Sequence, residues 1–179
     1  MLNVIEDRRN EFKIKLTDDF EKEVIAFLNT EGGNIFVGMD DSGNIVGNIG
    51  NIDLLQRTIK DRIKDNIRPS TLGLFDVVVN QIGEKKYIQV VIAKGSEKPY
   101  YINGICMTPD SCFVRIGSSI QSMEMEMILN LFSKRTRNNL KNIKSPNQEL
   151  EFKILKIYYH EKGFEINDNF SLNSPKVLL

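Results

Sequence analysis

The 179-residue chain has two cysteines, one histidine, no net charge and no long apolar run. Cys106 and Cys112 are too few for a disulfide scaffold or a four-thiolate zinc site. The single histidine, His160, lies far down the chain, so histidine acid–base chemistry is excluded from the first 150 residues. Its 24 basic residues match its 24 acidic ones, which excludes a strongly basic nucleic-acid coat protein and an acidic tail. No stretch approaches the roughly 18–20 apolar residues that span a bilayer. The first residues are mixed polar and charged, without a signal-peptide core. The expectation is a cytoplasmic protein with reduced thiols and no membrane association. There is no Gly-x-x-x-x-Gly-Lys-Ser/Thr loop and no Gly-x-Gly-x-x-Gly fingerprint, so a P-loop NTPase and a dinucleotide fold lack support. Internal repeats and low-complexity tracts are missing as well.

What is present is enough apolar sequence, 41%, to build a core. The balanced charge hides an asymmetry. Residues 1–50 carry 5 basic and 10 acidic side chains, whereas Lys134 to Lys144 carries five basic and none acidic. That run reads either as a solvated helix end with a linker or as a phosphate-contacting stripe.

Periodicity organises the chain. Phe12 to Leu16 alternates apolar and lysine, a half-buried strand. Thr17 or Asp18 is placed to cap a helix, with Glu21 in capping-box spacing from Asp18. Phe20, Val24, Phe27 and Leu28 share one face of that helix, which ends at Asn29-Thr30-Glu31-Gly32-Gly33. Asn34 to Met39 reads as a buried strand, then a turn at Asp40 to Asn44 and a returning strand. A second helix spans 52–68, with Leu55, Ile59, Ile63 and Ile67 on one side and Pro69 as its stop. Phe75 to Val79 and Tyr87 to Ile92 form a hairpin about Gly83-Glu84. Two short strands come next, at Pro99 to Ile102 and Cys112 to Ile116. Ser122 is placed to cap a helix holding Met123, Met127, Ile128, Leu131 and Phe132; the alternating Met123, Met125 and Met127 divide between core and surface. Both cysteines read as small core residues. The pattern predicts an α+β fold, a mainly antiparallel sheet covered by helices. Residues 1–140 form the domain, 141–148 a polar linker, and 149–179 the start of a following region. That last piece is too short to bury its own apolar face, so the chain reads as the front of a longer protein or as one that packs on a second copy.

Glu6, Asn10-Glu11-Phe12-Lys13, Ala26-Phe27-Leu28-Asn29-Thr30-Glu31-Gly32-Gly33 and Ile35-Phe36-Val37-Gly38-Met39-Asp40-Asp41 occur in that order. With Phe113-Val114-Arg115-Ile116-Gly117-Ser118-Ser119, they resemble the Schlafen AlbA-type domain, also known as a divergent AAA-like domain. The resemblance covers about residues 5–135 and implies an AlbA/Schlafen-core-like fold. The tail is similar to the segment after this domain in bacterial transcriptional regulators and RecG-like helicases, which continue into a winged-helix region. Bacterial members are described mostly as DNA-binding regulators and some as ATP-binding. Vertebrate Schlafen proteins cleave structured RNA with two glutamates five apart and an aspartate after the first long strand.

The resemblance therefore implies one of three functions: a DNA-binding (or RNA-binding) module of a transcriptional regulator, working as a homodimer; a metal-dependent endoribonuclease; or an ATP-binding regulatory domain. In the nuclease, Glu6, Glu11 and Asp41 would be catalytic, with Asp40 adding to a Mg²⁺ or Mn²⁺ site. Three converging carboxylates suit such hard cations. Each residue also has a plain alternative. Glu11 reads as a strand-start acid pairing with a lysine, and Asp40-Asp41 as an Asx turn. Lys13, Arg115, Lys134, Arg135 and Arg137, with the basic residues of 57–68, are the candidate phosphate contacts. Against that, Lys13 also reads as a solvent-facing strand residue, and Arg115 as the partner of a carboxylate in the first hairpin. Asn29, Gly32 and Gly33 either let a phosphate approach the backbone or let the next strand pack closely.

Overall fold

The computed structural model describes residues 5–46, 50–135 and 153–163, and the chain divides into two units, Met1–Thr136 and Arg137–Leu179. The expected linker, 141–148, and Arg137 lie outside the described residues.

The first unit opens with strand β1 (Asn10–Lys13), helix α1 (Phe20–Asn29) and strand β2 (Gly33–Val37). β1 begins two residues before the alternation predicts. It pairs in parallel with Asn34–Val37, and beyond Lys13 the chain has turned away, leaving Ile14 exposed. α1 forms because Phe20, Val24, Phe27 and Leu28 recur at helical spacing, and all four are fully buried. Its predicted capping box does not form. Asp19 is the N-cap without a side-chain bond, and Glu21 turns instead to Arg62 and Asn66. Helix α2 (Ile52–Asn66) is capped by Asn51, which accepts from the Leu54 amide at 3.0 Å. It ends before the predicted Arg68, because Pro69 disfavours a helical residue ahead of it, and Ile67–Arg68 become the short strand β3.

β4 (Phe75–Ile82) and β5 (Lys85–Ile92) form the expected hairpin. The main sheet runs β1-β2-β5-β4, parallel only at β1–β2. α1 and α2 pack one face of it. Phe20, Phe27, Ile35, Ile59, Ile63, Ile88 and Val90 lie in one core, each contributing about 1.5–3 kcal/mol by leaving water. The fold is α+β, as expected. The other face carries a row of amides. Asn80 donates to Gln89 (3.3 Å), Gln89 to Asn34 (3.0 Å), Asn34 to Asn10 (3.1 Å) and Asn10 to the Asp7 carboxylate (3.1 Å).

β6 (Tyr101–Ile102) pairs with β3, and β7 (Phe113–Ile116) pairs with β8 (Ser119–Ser122). β8 corrects the sequence reading, which gave Ser122 to a helix cap. Gly117, at φ +62°, reverses the chain so that its polar residues return along β7. Helix α3 (Met125–Ser133) then starts from Glu124. Met123 is buried before it, while Met125 and Met127 are exposed, the expected division. Of the two cysteines only Cys112 is a core residue; Cys106 is exposed on the loop before it. In the second unit, helix α4 (Lys153–Glu161) leaves Ile157 and Tyr158 exposed.

Candidate nucleic-acid interface

Glu11 and Lys13 are two apart on β1, so both side chains take the sheet face that α1 covers. Lys13 Nζ lies 2.7 Å from Glu11 and 3.0 Å from Glu23 of α1. Lys13 is therefore neither free for phosphate here nor simply solvent-facing. The other oxygen of Glu11 accepts from Arg115 Nη2 at 2.6 Å, so Arg115 pairs with a carboxylate of the opening strand. The Arg115 side chain is 1% exposed and its guanidinium stacks 4.7 Å from the Phe27 ring centroid. The same nitrogen donates to the Asp7 and Asn10 carbonyls. Four charges thus alternate in one buried chain: Arg115, Glu11, Lys13, Glu23.

Burial raises the Glu23 carboxyl to about 7, against the pull of Lys13; one of its oxygens has no partner. Burial lowers the Lys13 ammonium, yet its hydrogen bonds to Glu11 and Glu23 outweigh this and raise it. Glu23 was missed in the sequence, although a signal was there. It stands three residues after Phe20 and four before Phe27, an acid on the core face of α1.

Glu6 lies close enough to Glu11 and Asp41 to feel both. Partial burial raises its carboxyl first, and these two like charges add to it. Asp40 does not share that field. It accepts from the Ser42 and Asn44 amides at 3.0 and 2.8 Å, an Asx turn, and the Asn44 amide holds its carboxyl low. As an Mg²⁺ or Mn²⁺ site these residues do not fit. Both Glu11 oxygens are engaged by cations, and among the described residues no three Asp, Glu, His or Cys side chains gather as a metal-ligand set.

Asn29 is buried and fully engaged. Its amide donates to the Tyr100 and Phe113 carbonyls (2.9 and 3.0 Å), and its oxygen accepts from the Tyr100 amide (2.7 Å). A Cβ on Gly32 would sit 2.4 Å from the Ile92 carbonyl oxygen, and one on Gly33 would sit 2.4 Å from that of Arg9. Protein backbone fills the space beside both glycines, and they serve close strand packing.

A cationic surface lies elsewhere. Arg8, Arg9, Thr30, Glu31, Arg115 and Gly117 line an open cleft of about 390 Å³ at the end of α1. Lys94 pairs with Glu31 at 2.7 Å, and Lys98 donates to the Thr30 carbonyl at 2.5 Å. Burial lowers the Lys98 ammonium, helped by Lys94. Arg135 continues the surface by donating to the Glu97 and Pro99 carbonyls, both at 3.1 Å, with the exposed Lys134 beside it. Three distant segments thus bring Arg8 and Arg9, Lys94 and Lys98, and Arg135 to this surface, whereas Lys134 lines a separate cleft with Glu124 and Glu126. Of these cations the sequence marks only Arg135; the others meet through β1–β2 pairing and the loop after β5, which local patterns do not encode. On α2, by contrast, Arg62 is tied to Glu21 and Lys64 to Asp61 and Asp65.

The model of the family described as Schlafen, AlbA_2 matches residues 6–124. The chain belongs to the Schlafen AlbA_2 family. That match spans β1 through β8 of this AlbA_2 domain, including the buried charge chain and the cleft. The crystal structure of the DIP2311 protein from Corynebacterium diphtheriae is similar over 90% of this chain at 18% identity and a TM-score of 0.51, a likeness of fold. This chain spans 31% of that protein. The solution structure of the N-terminal domain of an ATP-dependent DNA helicase RecG-related protein from Nitrosomonas europaea is similar over 68% of this chain and 87% of its own. Its identity is 26% and its TM-score 0.47. No curated protein matches the chain. Among the described residues no helix is long and apolar enough to cross a membrane.

Proposed function

We propose that the AlbA_2 domain binds nucleic-acid backbone, DNA first, as part of a transcriptional regulator, through the basic surface at the end of α1. One observation carries this reading: Arg8, Arg9, Lys94, Lys98 and Arg135 converge beside an open cleft in which cations outnumber acids. Guanidinium and ammonium groups so arranged, Arg8, Arg9 and Lys94 exposed and Lys98 and Arg135 half-buried, neutralise phosphates and release counterions. Arginine adds a two-pronged fork for each phosphate. The test is fluorescence anisotropy with a labelled 20-base-pair DNA duplex, and with single strands and RNA, between 50 and 300 mM KCl. Affinity falls steeply with salt, and Lys94→Glu with Lys98→Glu flattens the slope by about 0.9 for each phosphate that the surface ceases to neutralise. A flat salt response, or no binding of any strand, overturns the reading.

A second reading, endoribonuclease, rests on the closeness of Glu6 to Glu11 and Asp41, and is weakened by the cations that already hold both Glu11 oxygens. Transfer RNA incubated with Mn²⁺ and either the wild type or Glu11→Gln decides it: equal cleavage by both rules it out. A rise in melting temperature with ATP would point to the nucleotide-binding alternative.

A further inference from the structure

Arg115 stands in the sequence as a phosphate contact, but the structure gives it another place. Its side chain is 1% exposed, pressed on Phe27 and paired with Glu11. Nη2 makes that pair, and Nε and Nη1 are buried without a partner, so reaching a phosphate in the cleft would mean leaving the seat on Phe27. What Arg115 does touch is the turn that carries the two exposed arginines of the cleft. We propose that Arg115 is a positioning residue, holding the Arg8–Arg9 turn from behind without itself touching nucleic acid. The proposal rests on the nucleic-acid reading above.

The turn is held on every inner side. Asp7 Oδ1 accepts from the Arg9 and Asn10 amides at 2.7 and 2.9 Å, and the Asp7 amide donates to the Asn10 carbonyl at 3.1 Å. Arg115 Nη2 ties the two ends together, donating to the Asp7 carbonyl at 2.9 Å and the Asn10 carbonyl at 3.4 Å. The Asn34 amide donates to the Arg9 carbonyl at 2.7 Å, and Gly33 lets the strands come that close. The Asp7, Arg9 and Asn10 amides and carbonyls are thereby engaged, while Arg8 and Arg9 remain exposed. Among the described residues neither is in an ion pair. One nitrogen, Nη2, reaches the Glu11 carboxylate and both carbonyls from one buried position, while Nε and Nη1 have no partner. Ordering the turn before the ligand arrives removes an entropy cost from binding.

Two measurements test this, on Arg115→Lys, which keeps the charge but ends one bond short of Nη2. The first is hydrogen exchange at the Arg9 and Asn10 amides in the free protein. The second is anisotropy with the same labelled duplex across the salt range. Both amides exchange faster, and affinity falls about tenfold while the salt slope stays that of the wild type. Arg8→Ala and Arg9→Ala, by contrast, each lower the slope by about 0.9. Should Arg115→Lys not fold, Asp7→Ala loosens the same turn from the front. Losing a negative charge would by itself favour a polyanion, so weaker binding there reports the turn. A slope reduced by about 0.9 in Arg115→Gln, as in Arg8→Ala, would make Arg115 a direct contact and overturn the proposal; so would unchanged exchange and affinity in Arg115→Lys. Unaltered binding in both Arg8→Ala and Arg9→Ala would overturn the nucleic-acid reading of the cleft, and the proposal with it, whatever the amides do.

Discussion

Replacing Glu23 with glutamine should make the domain more stable at neutral and alkaline pH. Glu23 is 4% exposed, one oxygen meets Lys13 at 3.0 Å, and the other has no partner. Its carboxyl ionises at about 7 in the folded protein and at 4.5 in an unfolded chain. Between those values the native state keeps a proton that the unfolded state has released, so stability falls as pH rises from 4.5 to 7. Above 7 the whole cost is present, about 3 kcal/mol from the gap between the two values. Glutamine keeps an oxygen for Lys13 and does not titrate. Urea unfolding near pH 5 and near pH 8 should therefore show wild type losing stability across the interval relative to Glu23→Gln, with the variant ahead near pH 8. Glu6, also raised but exposed, contributes equally to both proteins. Parallel stability curves for the two proteins would refute the reasoning, because Glu23 would then ionise as freely folded as unfolded.

Asn29→Ala strips partners from two buried carbonyls and a buried amide, so unfolding free energy should drop by about 2–4 kcal/mol in a denaturant melt. Titration with an aromatic disulfide reagent should show one fast thiol and one slow. Cys106 is exposed, whereas Cys112 is enclosed and burial raises its thiol; Cys106→Ser removes the fast phase, and two equally fast thiols would contradict the burial.

The helices and the long hairpin were legible because their apolar spacing is local. α1 shows four core residues at steps of three and four, and β4–β5 alternates about Gly83-Glu84. β8 was not, since Ser-Ile-Gln-Ser has little strand character and depends on β7 for its pairing. Nor was the fate of the acidic opening segment. Read linearly, ten acids in fifty residues argue against a polyanion surface there. In the fold Glu11 and Glu23 are turned inward onto Lys13 and Arg115, Glu21 is tied to Arg62, and Asp40 closes a turn. The surface at the end of α1 is left to cations from distant parts of the chain. A charge count along the sequence cannot separate acids already neutralised within from those still facing water.

The row of amides on the open sheet face has a direction. A carboxylate can only accept, so Asp7 obliges Asn10 to offer its nitrogen, and that choice fixes the rotamer sense of Asn34, then Gln89, then Asn80. Four side-chain dipoles consequently add head to tail across all four strands and end on the carboxylate that also orders Arg8 and Arg9. An edit as remote as Gln89 is thus wired to the cationic rim, and flipping any one of these groups means flipping its neighbours.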